Sequence, residues 1–143
     1  MLQVRQISKK FDKTLAVNHL DLSIEKGQIC GLLGPNGAGK STAIRLICGV
    51  LVPSSGSIEI EGVNLATSPK IAKQSLGYVP EGAPLPLELL PVEYLTHTAL
   101  FFGIKKNEIK QLIEKWADRC DIEDVLRKPI GFLSRGYRQR VAL

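Results

Sequence analysis

The sequence predicts an α/β fold, and three observations predict it. Segments in which apolar and polar residues alternate lie on both sides of a nearly unbroken apolar run, QICGLL (28–33). That run leads directly into a glycine-rich stretch, GPNGAGKST (34–42), which opens a segment with helical spacing. The later half of the chain holds two further helical patterns and little alternation, so strands and helices divide unevenly along the sequence.

Taken in order, LQVRQIS (2–8) and HLDLSI (19–24) alternate and read as half-exposed strands, with EKG (25–27) as a turn. QICGLL reads as a strand buried on both faces, because continuous apolar runs belong to the interior of parallel sheets. KSTAIRLICG (40–49) is helical and stops at Gly49, which supplies a left-handed end. Pro53 to Gly56 turns the chain into SIEIEG (57–62), another alternating strand. LGYVP (76–80) is a short strand before a proline-punctuated loop. Pro91 then opens the helix PVEYLTHTALFFG, and NEIKQLIEKWADRCDI (107–122) is a second one, with Ile109, Leu112, Ile113 and Trp116 on one face. A soft boundary near residues 81–90 divides a core of residues 1–81, containing the glycine-rich loop, from a helical subdomain of residues 82–143.

Composition narrows the class. The 143 residues, 44% hydrophobic and 23% charged, suit one globular domain rather than a disordered or fibrous chain. The net charge of +5 fits a polyanionic partner such as nucleic acid, a membrane surface or free nucleotide, but it is mild and spread out, densest at KK (9–10), KK (105–106) and RGYRQR (135–140), and no nucleic-acid partner is expected. Three cysteines, an odd number without CxxC spacing, argue against a disulfide framework or a zinc site and fit a reducing cytosol. Cys30 and Cys48 sit among apolar neighbours and read as small buried hydrophobes. The N-terminus lacks a signal-peptide core, and no apolar run approaches the ~20 residues of a membrane span. His19 and His97 are isolated and read as structural or surface residues, and Trp116 as packing.

The chemistry concentrates at residues 34–41, which match G-x-x-x-x-G-K-[ST] between a predicted strand and a predicted helix. Glycines let backbone N–H groups close around phosphate oxygens, and the helix N-terminus adds roughly half a positive charge. Lys40 is placed to reach β and γ phosphates and the Ser41 hydroxyl to ligate Mg²⁺. A second constellation, FLSRGYRQRV (132–141), sets Ser134 at a helix N-cap with Gly136 beside it.

Together GPNGAGKST and LSRGYRQR resemble the ATP-binding subunits of ABC transporters, the second being similar to that family's signature motif, and the resemblance runs over the whole chain. It implies a P-loop NTPase core with an antiparallel β subdomain and a helical subdomain, truncated before the Walker B strand. It implies that ATP and Mg²⁺ are held by Gly34, Pro35, Asn36, Gly37, Ala38, Gly39, Lys40, Ser41 and Thr42, with Phe11 stacking on adenine. GYVPE (77–81) is similar to the family's Q-loop segment, which makes Glu81 the Q-loop equivalent and, with Ser41, a candidate metal ligand; PVEYL (91–95) resembles the helix start that follows. Ser134 and Gly136 would grip the γ-phosphate of ATP held by a second ATP-binding subunit, identical or different, in a head-to-tail dimer. A membrane-spanning subunit would dock near residues 80–100, leaving this chain cytoplasmic and peripheral on the inner face. Glu81 and the GYRQR ending look most like exporter-type subunits of the ABC-2 class.

The chain departs from the family pattern at Glu81, where glutamine is usual, and at Arg135 and Tyr137, which replace glycine and glutamine of the signature. No apolar run ends in Asp-Glu, so the 143 residues alone are expected to be catalytically incomplete, to be the first part of a longer protein, and to leave an unpaired sheet edge and exposed apolar surface. Two alternatives stand beside the transporter reading: a nucleotide-binding module that does not turn ATP over, and a soluble ABC protein acting on ribosomes or DNA.

Overall fold

A computed structural model describes residues 1–143, which form two compact units, Met1–Tyr78 and Val79–Leu143.

In the first unit, the alternating segments become an antiparallel sheet. Strands β1 (Leu2–Phe11), β2 (Thr14–Ile24), β3 (Ser55–Ile60) and β4 (Val63–Asn64) stand in the order β2-β1-β3-β4. Val4 sits opposite both Leu22 and Ile58, and Leu2 opposite both Ile24 and Ile60, so one face collects the apolar side chains of three strands. Helix α1 (Lys40–Ile47) contributes Ala43 and Leu46 to this core, which also holds Ile7, Val17, Leu65 and Ala72. The helix ends where the sequence predicts: Gly49 takes φ +64°, its N–H donates to the Leu46 carbonyl at 3.0 Å, and that of Val50 to the Arg45 carbonyl at 2.8 Å. A short helix, α2 (Pro69–Ala72), and a 3-10 turn, Lys73–Ser75, close the unit.

Two predicted strands are corrected. QICGLL is not a strand, and Ile29 and Leu33 are 102% and 92% exposed. LGYVP is likewise unpaired. A strand buried on both faces needs a hydrogen-bonded neighbour along its length, and within residues 1–143 no segment pairs with 28–33. The same cause leaves Cys30 exposed rather than buried, while Cys48 is partly buried and burial pushes its thiol pKa upward.

The second unit is helical: α3 (Pro91–Phe101), α4 (Lys106–Cys120) and α5 (Arg135–Val141), with 3-10 turns at Glu123–Val125 and Ile130–Phe132. Its core gathers Leu85, Ala117, Ile122, Val125, Ile130, Leu133 and Val141. The buried stripe of α4 is Ile109, Ile113 and Ala117, four residues apart, so Trp116 lies at the stripe's border and is half exposed between Lys115 and Arg119. Glu93 caps α3, its carboxylate accepting the Leu90 N–H at 2.9 Å. No helix is long and apolar enough to cross a membrane.

Candidate nucleotide site

The glycine-rich loop joins the unpaired 28–33 segment to α1 and is held against β2 at one point. Gly39, the N-cap of α1, has φ +84°, and a Cβ built there would lie 2.1 Å from the Ala16 carbonyl oxygen. No side chain larger than hydrogen fits without moving β2 or the loop. Gly37 takes a similar φ, +85°, in open space, so there the requirement is conformational alone.

The loop's donors are free. The Ala38 N–H bonds to the Pro35 carbonyl at 3.2 Å, whereas the N–H groups of Gly37, Gly39, Lys40, Ser41 and Thr42 have no acceptor in the protein. Helix α1 has no side-chain cap and no acidic residue in its first turn. A helix start that offers its amides uncapped, with no carboxylate to compete, is arranged to receive an anion. The Lys40 ammonium bends over the loop and donates to the carbonyls of Gly34 (2.6 Å) and Pro35 (2.7 Å), which leaves one of its three protons uncommitted. The Ser41 hydroxyl is exposed, an oxygen donor of the hard kind that Mg²⁺ takes. Phe11 ends β1 in the same unit, 44% exposed, with the Lys9 ammonium 5.3 Å from its ring centroid.

The remaining predicted residues lie in the second unit. Ser134 is the N-cap of α5, its hydroxyl accepting the Tyr137 N–H at 3.3 Å and its carbonyl the Arg138 N–H at 2.9 Å. Gly136 lies in the first turn, where an added Cβ would meet nothing closer than the Ser134 hydroxyl at 3.9 Å. Glu81 accepts a hydrogen bond from Arg135 at 2.8 Å. The Tyr137 hydroxyl donates to Asp124 at 3.0 Å, and Arg140, stacked 4.3 Å from the Tyr137 ring centroid, donates to both the carboxylate and the carbonyl of Asp121 at 2.6 Å. That bond to Asp121 strengthens the guanidinium's hold on its proton. Sequence reasoning noticed Arg135 and Tyr137 only as departures. Their partners, Glu81 for Arg135 and Asp124 for Tyr137, and the Ala16 carbonyl under Gly39, carry no signal readable from spacing.

Comparison with known proteins covers both segments. The family pattern described as ABC transporter matches residues 17–143, and the chain belongs to that family. It is 32% identical over 143 residues to the probable multidrug ABC transporter ATP-binding protein YbhF of Escherichia coli (strain K12), covering all of this chain and 25% of that protein. It is 35% identical over 148 residues to the ABC transporter ATP-binding protein NatA of Bacillus subtilis (strain 168), covering all of this chain and 60% of that one. Among solved structures, CbiO1 of Clostridium perfringens, part of the ABC transporter complex cbiONQ, superposes with a TM-score of 0.84 at 28% identity, over 99% of this chain and 58% of its own. The chain thus spans between a quarter and three-fifths of the relatives' lengths.

Proposed function

We propose that this chain is the nucleotide-binding part of a subunit that powers ABC-type transport, binding Mg·ATP through residues 34–42. The observation that supports it most strongly is the uncapped loop-to-helix junction, where the N–H groups of five residues between Gly37 and Thr42 have no acceptor and the Lys40 ammonium lies over the loop. In this reading the amides of residues 37–42 hold the phosphate oxygens, and Lys40 exchanges its two loop carbonyls for the β and γ phosphates. The exposed ring of Phe11 takes the adenine face. Ser41 is the proposed Mg²⁺ ligand within the first unit, and Mg²⁺, when bound, neutralises charge on the phosphate oxygens. Glu81 is the second proposed ligand; Arg135 occupies one of its carboxylate oxygens and leaves the other to meet a cation.

Ser134 and the Gly136 amide are proposed to meet the γ-phosphate held by a second subunit, in a two-fold pairing with each nucleotide shared between copies. A membrane-spanning subunit is the proposed partner near residues 80–100, placing the chain at the cytoplasmic face. No Asp-Glu pair occurs in the 143 residues, so on their own they bind ATP with negligible turnover; the lost general base is worth about 10²–10⁴-fold.

The test is competition against a fluorescent ATP analogue. A site that grips β and γ phosphates is emptied by ATP and ADP and spared by AMP at the same concentration. AMP competing as well as ATP would contradict the assignment of Lys40 and the loop.

A further inference from the structure

Two of the positions at which this chain departs from the family pattern pair with each other. Arg135 Nη2 donates to Glu81 Oε1 at 2.8 Å. The pattern has an uncharged residue at each position, so either change alone would leave a lone charge, whereas together the charges cancel. Arg138 lines the same cleft as Arg135, beside residues 82–87, so without Glu81 two uncompensated cations would stand there.

The pair also completes a mechanical strip. The Ile130 N–H donates to the Leu89 carbonyl at 2.9 Å and the Gly131 N–H to the Leu87 carbonyl at 2.8 Å. The segment from 81 to 89 is therefore tied to the segment from 130 to 135 by backbone at one end and by the ion pair at the other. Between Gly131 and Arg135 sits Ser134, and beyond it α5 is anchored by Tyr137 to Asp124 and by Arg140 to Asp121. These contacts hold α5 from Tyr137 onward, and Arg135 adds the one side-chain tie from the start of its first turn to the 81–89 segment.

We propose that Glu81 and Arg135 are positioning residues for Ser134: their ion pair carries movement of the 79–90 loop into the first turn of α5, and movement of α5 back into the loop. The consequence for ATP rests on the proposed role of Ser134, whereas the coupling itself does not. Both side chains are well exposed, at 85% and 78%, so the coupling has the size of surface ion pairs, about 1.4- to 5-fold in an equilibrium. It weakens with salt.

Hydrogen–deuterium exchange on the protein as its host produces it, with variants at these two positions, tests this. Glu81→Gln should speed exchange of the 134–141 segment about 1.4- to 5-fold, and Arg135→Gln should do the same to the 79–90 segment, each at a distance in sequence from the substitution. The reversed pair, Glu81→Arg with Arg135→Glu, should restore protection in both segments, and 1 M salt should bring the unmodified protein to the level of the single variants. Effects confined to the substituted segment, or a reversed pair no better than either single variant, would overturn the proposal. Lys40→Ala separates this from the nucleotide reading: it should weaken Mg·ATP binding at least tenfold and leave the exchange coupling intact.

Discussion

Replacing Gly39 with alanine tests how the phosphate loop is held. At φ +84° an L-residue is in the left-handed region, which costs about 1–2 kcal/mol. The new methyl would also stand 2.1 Å from the Ala16 carbonyl oxygen and 3.2 Å from its carbon, so β2 and the loop must separate by about an ångström. Forced overpacking of that kind costs about 1–3 kcal/mol, giving a loss of about 2–5 kcal/mol for Gly39→Ala. Gly37→Ala is the internal control. Its φ is nearly the same, +85°, but no atom lies within 4 Å, so only the conformational cost of about 1–2 kcal/mol applies. Urea unfolding followed by far-ultraviolet circular dichroism measures both. With a slope of about 2 kcal/mol/M, the Gly39 variant should melt about 2 M earlier than the unmodified chain, and the Gly37 variant about 0.5–1 M earlier. Equal midpoints for the two variants would refute the packing of Gly39 against Ala16.

Three further outcomes are expected. Ser134→Ala removes the N-cap of α5 and should cost the second unit about 1 kcal/mol, read from the fluorescence of Trp116 in the same unit. Burial raises the Cys48 pKa, so the folded state disfavours the thiolate; stability is full below the ordinary thiol value and falls as pH rises above it, and Cys48→Ala should flatten that alkaline decline in urea midpoints. Ile29→Lys should leave the stability of the 143-residue chain within about 0.5 kcal/mol while reducing its self-association by light scattering, whereas Leu46→Ala, at a site with no exposure, should cost about 2–5 kcal/mol.

The parts legible in the sequence are those whose partners are local or lie within these 143 residues. The stop at Gly49, the Pro91 helix start and the Ser134 cap each depend on neighbours within a few residues, and the alternating strands at 2–8 and 57–62 find their partners in each other within the chain, so each forms as predicted. The glycine-rich loop is legible for the same reason, since its chemistry is that of its own backbone. Residues 28–33 show the opposite case. Their composition is that of a central strand, but a strand is defined by its neighbours, and no segment of these 143 residues supplies one. Trp116 shows a smaller error of the same kind: spacing places it near the apolar face, and packing puts Ala117 at its centre instead. The Glu81–Arg135 pair joins residues 54 apart and is invisible to any periodicity, although the two departures that form it stand out in the sequence.

The central claim is that residues 34–42 bind Mg·ATP, and its most direct test is calorimetric titration of Mg·ATP into the unmodified protein and into Lys40→Ala. Loss of hydrogen bonds from a charged donor, at about 1.5–3 kcal/mol, predicts affinity at least tenfold weaker in the variant. Equal affinity in the two proteins, or no binding to either, would contradict it.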